Sequence, residues 1–369
     1  MARVATPLVL VSLILLTLAL YVPHLGAPWV YEDENWLRQA PQAAQSWRAP
    51  GRALTSQSYH LTWQIVGNEP LLFRAGNVIL HLASGLLVYG IGRALISGPA
   101  AVVGAGVFLL HPLNSETVSY VSARPDLLST VWILLATWIA VACATPWRWP
   151  LILGAVWLGA LSKETGLLGV PLVALTLLIW RPAAVRRPAF MPAWVVLGAI
   201  LGATWSSVRV WLEMNPHMGG SWYAWPDFLR LQVTAVWYLM SQLLTLQSFS
   251  IDHDILALGP RWTIVAVVLT VSTAILIGIA WRRHPLVAWG LAWMGLAVAP
   301  RVLFRTNDFL NEHQLYLALV GPSLLVGAAG PWLWRWCPLA ADRAWWRELQ
   351  EHWTSESHGG PYRTLKGLP

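Results

Sequence analysis

The sequence predicts an all-α polytopic membrane protein, a bundle of about ten transmembrane helices with one further interfacial or re-entrant helix. Of its 369 residues, 56% are hydrophobic and only 11% are charged. Soluble domains carry about 25% charged residues, so this chain has too little charge to coat a water-soluble globule. Apolar runs also recur along most of the chain, with the charges concentrated between them. The composition therefore excludes a soluble enzyme, a disordered protein and a disulfide scaffold.

Ten apolar runs are expected to cross the bilayer, for which a helix needs about 20 mostly apolar residues. They occupy residues 7–25, 76–92, 94–110, 127–144, 149–161, 165–180, 190–212, 262–280, 285–303 and 314–334. The first run follows a single Arg and has no Ala-x-Ala cleavage site, so we expect an uncleaved helix rather than a signal peptide.

Basic residues in short loops orient these helices, because such loops stay on the cytoplasmic side. If the apolar segment 229–247 does not cross, eight basic residues near the ends of the predicted helices all fall on one side: Arg3, Arg93, Arg148, Arg181, Arg186, Arg187, Arg282 and Arg283. Thirteen of the 17 carboxylates then lie on the opposite side, and the other four follow residue 335. We therefore predict that 229–247 is interfacial or re-entrant. The predicted domains are a transmembrane domain, 1–335, and a short polar cytoplasmic tail, 336–369.

The first outer loop begins with three adjacent carboxylates, Glu32, Asp33 and Glu34. Adjacent like charges are typical of a solvated acidic turn, which is one interpretation of this run. The other interpretation is a general base or a metal ligand for sugar or phosphate chemistry.

The second outer loop carries His111, Glu116 and then Arg124-Pro125-Asp126, which opens the predicted helix 127–144. The amino terminus of that helix faces outward, so Asp126 either complements the helix dipole or belongs to a site. Arg124 beside a helix amino terminus is suited to binding phosphate. A single histidine such as His111 is more typical of a structural residue.

Two further outer segments carry polar residues. The predicted helices 149–161 and 165–180 leave room only for a tight turn, which places Lys163 and Glu164 near or below the membrane interface. Ionisable residues at that depth are costly and indicate function. The alternative interpretation is that these two neutralise each other. Asp252-His253-Asp254 offers oxygen and nitrogen ligands for a divalent cation. The sequence nevertheless assigns no metal ligand and no certain cofactor.

Five short motifs in order along the chain resemble those of GT-C glycosyltransferases, in particular the transmembrane and tetratricopeptide-repeat O-mannosyltransferase family and its bacterial relatives. The motifs are residues 29–33, 52–56 with 73–81, 111–126, 162–166 and 312–317. The resemblance implies a GT-C-like catalytic domain over 1–335. Three positions depart from the family: Glu32 replaces the first Asp, His313 replaces Arg, and Ala318 replaces Pro. The polar tail has no room for the repeats.

The resemblance also implies an activity, the transfer of mannose or another hexose from a polyprenyl-phosphate carrier to an acceptor hydroxyl outside the cytoplasm. The implied catalytic residues are Asp33 as general base, with Glu32 or Glu116 assisting. Arg124, Lys163 and His313 would hold the donor phosphate, and Glu164 and Glu312 would orient those cations. The predicted substrate-binding set is completed by Tyr316, Asp126 and His111.

The expected partners are membrane lipids, the polyprenyl-phosphate-linked sugar and a protein or glycolipid acceptor. The net charge of +7 reflects membrane topology rather than nucleic-acid binding, because the basic residues form short clusters between apolar runs. We expect a multi-pass protein of the cell (inner) membrane whose active site faces the extracytoplasmic side. A transporter and a non-catalytic membrane scaffold remain alternatives. A transporter would place its ionisable residues near the bilayer midplane, often within repeated halves.

Overall fold

The computed structural model describes residues 2–34, 38, 40, 41, 52–145, 147–180, 224–245, 255, 258–303 and 311–334. Within these residues the chain forms twelve α-helices and no strand. The helices are α1 (Ala2–Tyr21), α2 (Ala53–Val66), α3 (Pro70–Leu95), α4 (Gly98–Leu110), α5 (Asn114–Ser119), α6 (Arg124–Ala142), α7 (Arg148–Ser162), α8 (Gly169–Trp180), α9 (Trp225–Thr245), α10 (Pro260–Arg283), α11 (Pro285–Leu303) and α12 (Val320–Trp334). Short 3-10 turns precede α6, α8 and α12.

Five helical segments of the described chain are long and apolar enough to cross a membrane, namely 6–24, 70–95, 121–142, 260–283 and 285–303. Four shorter apolar helical segments accompany them, at 98–110, 148–162, 164–180 and 320–330. The prediction of an all-α polytopic membrane protein is therefore confirmed. The predicted span 190–212 lies outside the described residues, as does the tail, so the total of ten spans and the domain boundaries stay predictions.

The segment predicted at 229–247 forms α9, which is not among the helices with the length and apolarity of a span. Its middle contacts the first half of α10. The Nε1 of Trp237 donates a hydrogen bond to the hydroxyl of Thr270 (2.7 Å), and the hydroxyls of Thr234 and Thr263 lie 3.1 Å apart. Whether α9 lies in the interface stays a prediction.

The centre of the bundle is formed by α6, which packs along α3, α7 and α8, while α12 packs along α4 and α11. Two indoles of α11 are fully buried and both have hydrogen-bond partners. Trp289 donates to the hydroxyl of Thr176 in α8, and Trp293 donates to the carbonyl of Leu317 (both 2.9 Å). Trp293 therefore fixes the segment between the last 3-10 turn and α12, next to the predicted site.

The turn between α7 and α8 folds back onto the end of α7 because two glycines meet there. A Cβ atom on Gly166 would overlap the backbone carbonyl of Gly159 and the backbone nitrogen of Ala160. The turn contains Lys163 and Glu164, so this close approach sets the position of both side chains.

Gly166→Ala is expected to destabilise the fold by about 1–3 kcal/mol, the usual cost of forcing an extra methyl group into a packed site. The measurement is the melting temperature of the solubilised chain. The matched control is Gly154→Ala, because no atom lies within 4 Å of a Cβ at that position and alanine suits a helix interior. Equal melting temperatures for the two variants would contradict the prediction.

Candidate active site

The carboxylate of Asp33 is completely buried just after α1. Its Oδ1 accepts two hydrogen bonds of 2.9 Å from Ser122, one from the backbone N–H and one from the hydroxyl. Its Oδ2 has longer contacts, 3.4 Å to the backbone nitrogen of Val30 and 4.0 Å to Nη2 of Arg74. Burial raises the pKa of Asp33, while these hydrogen bonds and the charge of Arg74 act in the opposite direction.

Arg74 holds the loop that contains this carboxylate. From α3, its Nε donates to the carbonyl of Ser119 (3.0 Å) and its Nη2 donates to the carbonyl of Pro28 (2.6 Å). Its Nη1 donates to the carbonyl of Ala27. One guanidinium therefore joins the segment after α1 to the end of α5.

Tyr120 lies between the loop after α1 and the last 3-10 turn. Its hydroxyl accepts a hydrogen bond from the backbone N–H of Glu32 (3.3 Å), and the side chain of Glu32 is exposed. The ring centroid of Tyr120 is 6.3 Å from that of His313. Tyr120 thus connects the surroundings of Asp33 to the segment that begins at Glu312.

Glu116 and His313 form a close pair. The imidazole Nδ1 lies 2.7 Å from Oε1 of Glu116, and the backbone N–H of His313 donates to Oε2 (2.9 Å). The Glu116 side chain is only 4% exposed and that of His313 is 15% exposed.

Lys163 and Glu164 pair with different partners rather than with each other. The Lys163 ammonium contacts both carboxylate oxygens of Asp126 at 2.6 and 2.7 Å. Glu164 receives two hydrogen bonds from the guanidinium of Arg52, at 3.1 and 2.8 Å. The first pair is nearly buried, with side-chain exposures of 5% and 13%. These pairs join the start of α2, the start of α6 and the turn after α7.

The guanidinium of Arg124 is buried and surrounded by protein acceptors. Its Nε donates to Oδ1 of Asn77 (3.1 Å), and its Nη groups donate to the carbonyls of Ser58 (3.2 Å) and Phe73 (2.6 Å). In this conformation Arg124 braces α2 and α3 against α6. The phosphate contact predicted for it stays a prediction.

The hydroxyl of Tyr316 is bonded to a buried histidine of α3. It lies 2.8 Å from Nδ1 of His81, whose Nε2 is 3.0 Å from the carbonyl of Leu109. Because a carbonyl only accepts, Nε2 of His81 carries the proton and Nδ1 accepts the hydrogen bond from Tyr316. The tyrosine is thereby fixed across α3 and α4.

The other two members of the predicted substrate-binding set lie at the same end of the bundle. His111 Nδ1 accepts a hydrogen bond from the backbone N–H of Leu113 (3.1 Å) and so stabilises the turn before α5. Glu312 is buried at the start of the last 3-10 turn.

A cavity opens beside the Lys163–Asp126 pair. Basic groups in its wall belong to Lys163, Arg301 and His313. The remaining polar lining residues include Asp126, Thr130 and Gln314, and the apolar ones are Leu168, Ala297, Pro300 and Leu317. Cationic groups among apolar side chains suit a ligand that is anionic at one end and hydrocarbon at the other.

Comparisons with known proteins give partial matches. Protein O-mannosyl-transferase Tmtc2 of Drosophila melanogaster is 31% identical over 163 residues, which cover 41% of this chain and 17% of the relative. Protein O-mannosyl-transferase Tmtc1 of the same organism is 30% identical over 142 residues, which cover 33% of this chain and 16% of the relative. Human protein O-mannosyl-transferase TMTC3 is 22% identical over 107 residues, which cover 29% of this chain and 12% of the relative. This chain is their distant relative.

The chain spans less than a fifth of the length of these curated relatives. Neither a protein-family model nor a solved structure matches it. The relationship agrees with the resemblance that the sequence motifs indicate.

In this relative of the O-mannosyl-transferases, the predicted site residues all lie at one end of the bundle. The cavity wall contains four of them, Asp126, Lys163, His313 and Tyr316. The other seven do not line it: Asp33, Glu32, Glu116, Arg124, His111, Glu164 and Glu312. The assigned roles of these residues stay predictions.

Sequence reasoning assigned no role to three residues that organise this end of the bundle. Arg74 binds the loop of Asp33, Tyr120 joins that loop to His313, and Arg301 contributes to the cavity wall. A basic residue close to the start of a predicted span, as Arg74 is, was the available signal for the first of them. Arg301 carried the same signal, because it lies inside the predicted span 285–303. Tyr120 carries no comparable signal, because it is an ordinary residue for a helix end near the membrane interface.

Within the part of the chain that the structure describes, no group of three or more His, Cys, Asp or Glu side chains is arranged to hold a metal ion. The segment Asp252-His253-Asp254 lies outside the described residues. A divalent cation therefore stays an untested expectation of the sequence.

Proposed function

We propose that this chain is an integral membrane glycosyltransferase that moves mannose or another hexose from a polyprenyl-phosphate carrier to an acceptor hydroxyl on the extracytoplasmic side. The relatives named above are protein O-mannosyl-transferases, which makes a protein hydroxyl the first acceptor to test and a glycolipid the second. The proposed location is the cell membrane, with the site on the face opposite the basic loops.

The cavity is the observation that carries this proposal. Lys163, Arg301 and His313 line it together with apolar side chains at the end of a membrane-type bundle. A phosphate with a hydrocarbon chain matches this chemistry, with its headgroup towards the cations and its chain among apolar groups. The cavity, at about 20 Å³, has room for about one water molecule, so binding of the headgroup requires the lining side chains to move. Positive groups near the departing phosphate also stabilise the charge that develops there as the sugar leaves.

Asp33 is the proposed general base, which takes the proton of the acceptor hydroxyl as that oxygen attacks the sugar. Ser122 occupies Oδ1 with two hydrogen bonds, so Oδ2, whose contacts are longer, is the oxygen assigned to this step. Because the side chain has no exposed area, an acceptor reaches Oδ2 only if neighbouring residues move. Glu32 is exposed on the same loop and would assist there.

The deciding experiment supplies membranes containing the chain with labelled polyprenyl-phosphate hexose, and compares them with membranes lacking it. We expect label in an acid-stable product on protein or glycolipid. Label that accumulates unchanged inside sealed vesicles would instead indicate a transporter. Absence of both, with the chain present at normal abundance, would indicate a scaffold.

A further inference from the structure

Glu116 holds residue 313 through both its backbone and its side chain. One carboxylate oxygen accepts the backbone N–H and the other contacts Nδ1 of the imidazole. A carboxylate only accepts hydrogen bonds, so Nδ1 carries a proton in this contact. The ring is thereby fixed in one orientation, with Nε2 on its opposite edge.

The residue that carries this ring is part of the cavity wall. His313 and its neighbour Gln314 both line the cavity, and Nε2 of His313 lies 3.4 Å from Nε2 of Gln314. Glu116 does not line the cavity and its side chain is almost fully buried. It therefore acts on a ligand of the cavity only through His313.

When His313 is neutral, the cationic groups in the described cavity wall are Lys163 and Arg301. The ammonium of Lys163 is bonded to both oxygens of Asp126, so that pair is close to neutral overall. Protonation of His313 would add a full positive charge at a wall that already contains Arg301. The buried carboxylate of Glu116 would stabilise that charge from the other edge of the ring.

We propose that Glu116 is a positioning residue that holds His313 as a titratable phosphate contact, so that the cavity binds the donor phosphate more tightly when the imidazole is protonated. This inference rests on the proposed function, because the ligand is the phosphodiester of its donor. Among the residues that the structure describes, the other titratable or charged groups near His313 and the cavity are Asp126, Lys163, Arg301, Glu312, Tyr120 and Tyr316. Among these residue types, histidine is the one that ordinarily changes charge between pH 5 and 8.

The test measures the binding of a short-chain isoprenyl phosphodiester of mannose to the purified full chain by calorimetry at pH 6 and pH 8. This diester keeps one negative charge across the range, so a change in affinity comes from the protein. We expect binding to weaken by about tenfold from pH 6 to pH 8, the effect of losing one charge-assisted hydrogen bond.

Three variants identify the group responsible. His313→Arg should bind tightly at both pH values, and His313→Gln weakly at both. Glu116→Gln removes the negative charge but keeps an oxygen that accepts a hydrogen bond, so its binding at pH 6 should fall towards that of His313→Gln.

Two results would overturn the inference and leave the proposed function intact. The first is that the affinity of His313→Arg for the diester depends on pH as that of the natural chain does. The second is that Glu116→Gln binds the diester as tightly as the natural chain at both pH values. If neither the natural chain nor His313→Arg binds the diester at either pH, the inference fails together with the proposed phosphate-linked donor.

Discussion

Asp33→Asn is expected to reduce sugar transfer by about 10²–10⁴-fold, the usual contribution of a general base. The asparagine has nearly the same shape, and its side-chain oxygen still accepts both hydrogen bonds from Ser122. It lacks the lone pair and the charge needed to take a proton at the Oδ2 position. The measurement is the initial rate of transfer at saturating donor, normalised to the abundance of the chain.

The matched control is Glu34→Gln, one residue further along the same loop. The Glu34 side chain is 62% exposed and its ion pair with Arg38 is on the surface, where such pairs contribute little. We expect this variant to keep its activity. If Asp33→Asn also kept full activity, Asp33 would lose the role of base and would be left with a structural role in the loop after α1.

The pH dependence of turnover provides a second check on Asp33. Burial raises the pKa of this carboxyl above its usual range near 3.9. A general base is active only when ionised, so the rate should fall as the pH decreases through that raised value. We expect the acidic limb of kcat to lie above the pH at which an ordinary aspartate titrates, and we expect Asp33→Asn to lack this limb in its residual rate. A limb at the ordinary aspartate value would argue against this carboxyl.

Hydropathy predicted most of the helices because the lipid-facing side of a span must be apolar. Helix α10 illustrates this, since its surface is largely exposed and apolar. Helix α2 was not predicted, because its sequence mixes polar with apolar residues. It buries Ala53, Thr55 and Tyr59, and the hydroxyl of Thr55 donates to the carbonyl of Ser162. The positions of these partners depend on the tertiary fold and not on local composition.

The orientation of the helices, deduced from the basic loops, also predicted that the acidic motifs share one end of the bundle. The contacts of Asp126 and Glu116 require the same arrangement. The sequence did not predict which residues form the individual ion pairs. Lys163 and Glu164 are adjacent and opposite in charge, so mutual neutralisation was the simplest local interpretation. Each instead bonds to a residue more than 30 positions away, Asp126 or Arg52.

Arg124 shows the same limitation. A guanidinium at a helix amino terminus is suited to phosphate, and that suggested its predicted role. The carbonyls of Ser58 and Phe73 that it binds belong to two earlier helices. A sequence does not show which backbone carbonyls will accept hydrogen bonds from a side chain. The structure therefore gives Arg124 a bracing role that the motif alone did not indicate.

Lys163→Met is expected to abolish transfer and also to destabilise the chain by about 3–5 kcal/mol, because removing one partner leaves the other charge of a nearly buried pair uncompensated. The carboxylate left behind is Asp126, which contacts the ammonium through both oxygens. Loss of activity in this variant alone would not distinguish a phosphate contact from a structural ion pair. The melting temperature and the transfer rate must therefore be measured together.

The double variant Asp126→Asn, Lys163→Met separates the two roles. Replacing both members of a buried ion pair by neutral residues is often close to neutral for stability, so we expect the melting temperature to recover. Transfer should stay undetectable if the ammonium contacts the donor phosphate, because the recovered fold still lacks that charge in the cavity wall. The single variant Asp126→Asn should also lower the melting temperature, because it leaves the ammonium uncompensated, but it should retain measurable transfer per folded chain, since it keeps the ammonium. Recovery of transfer along with stability in the double variant would show that Lys163 serves only to neutralise Asp126, and the phosphate site would then rest on Arg301 and His313.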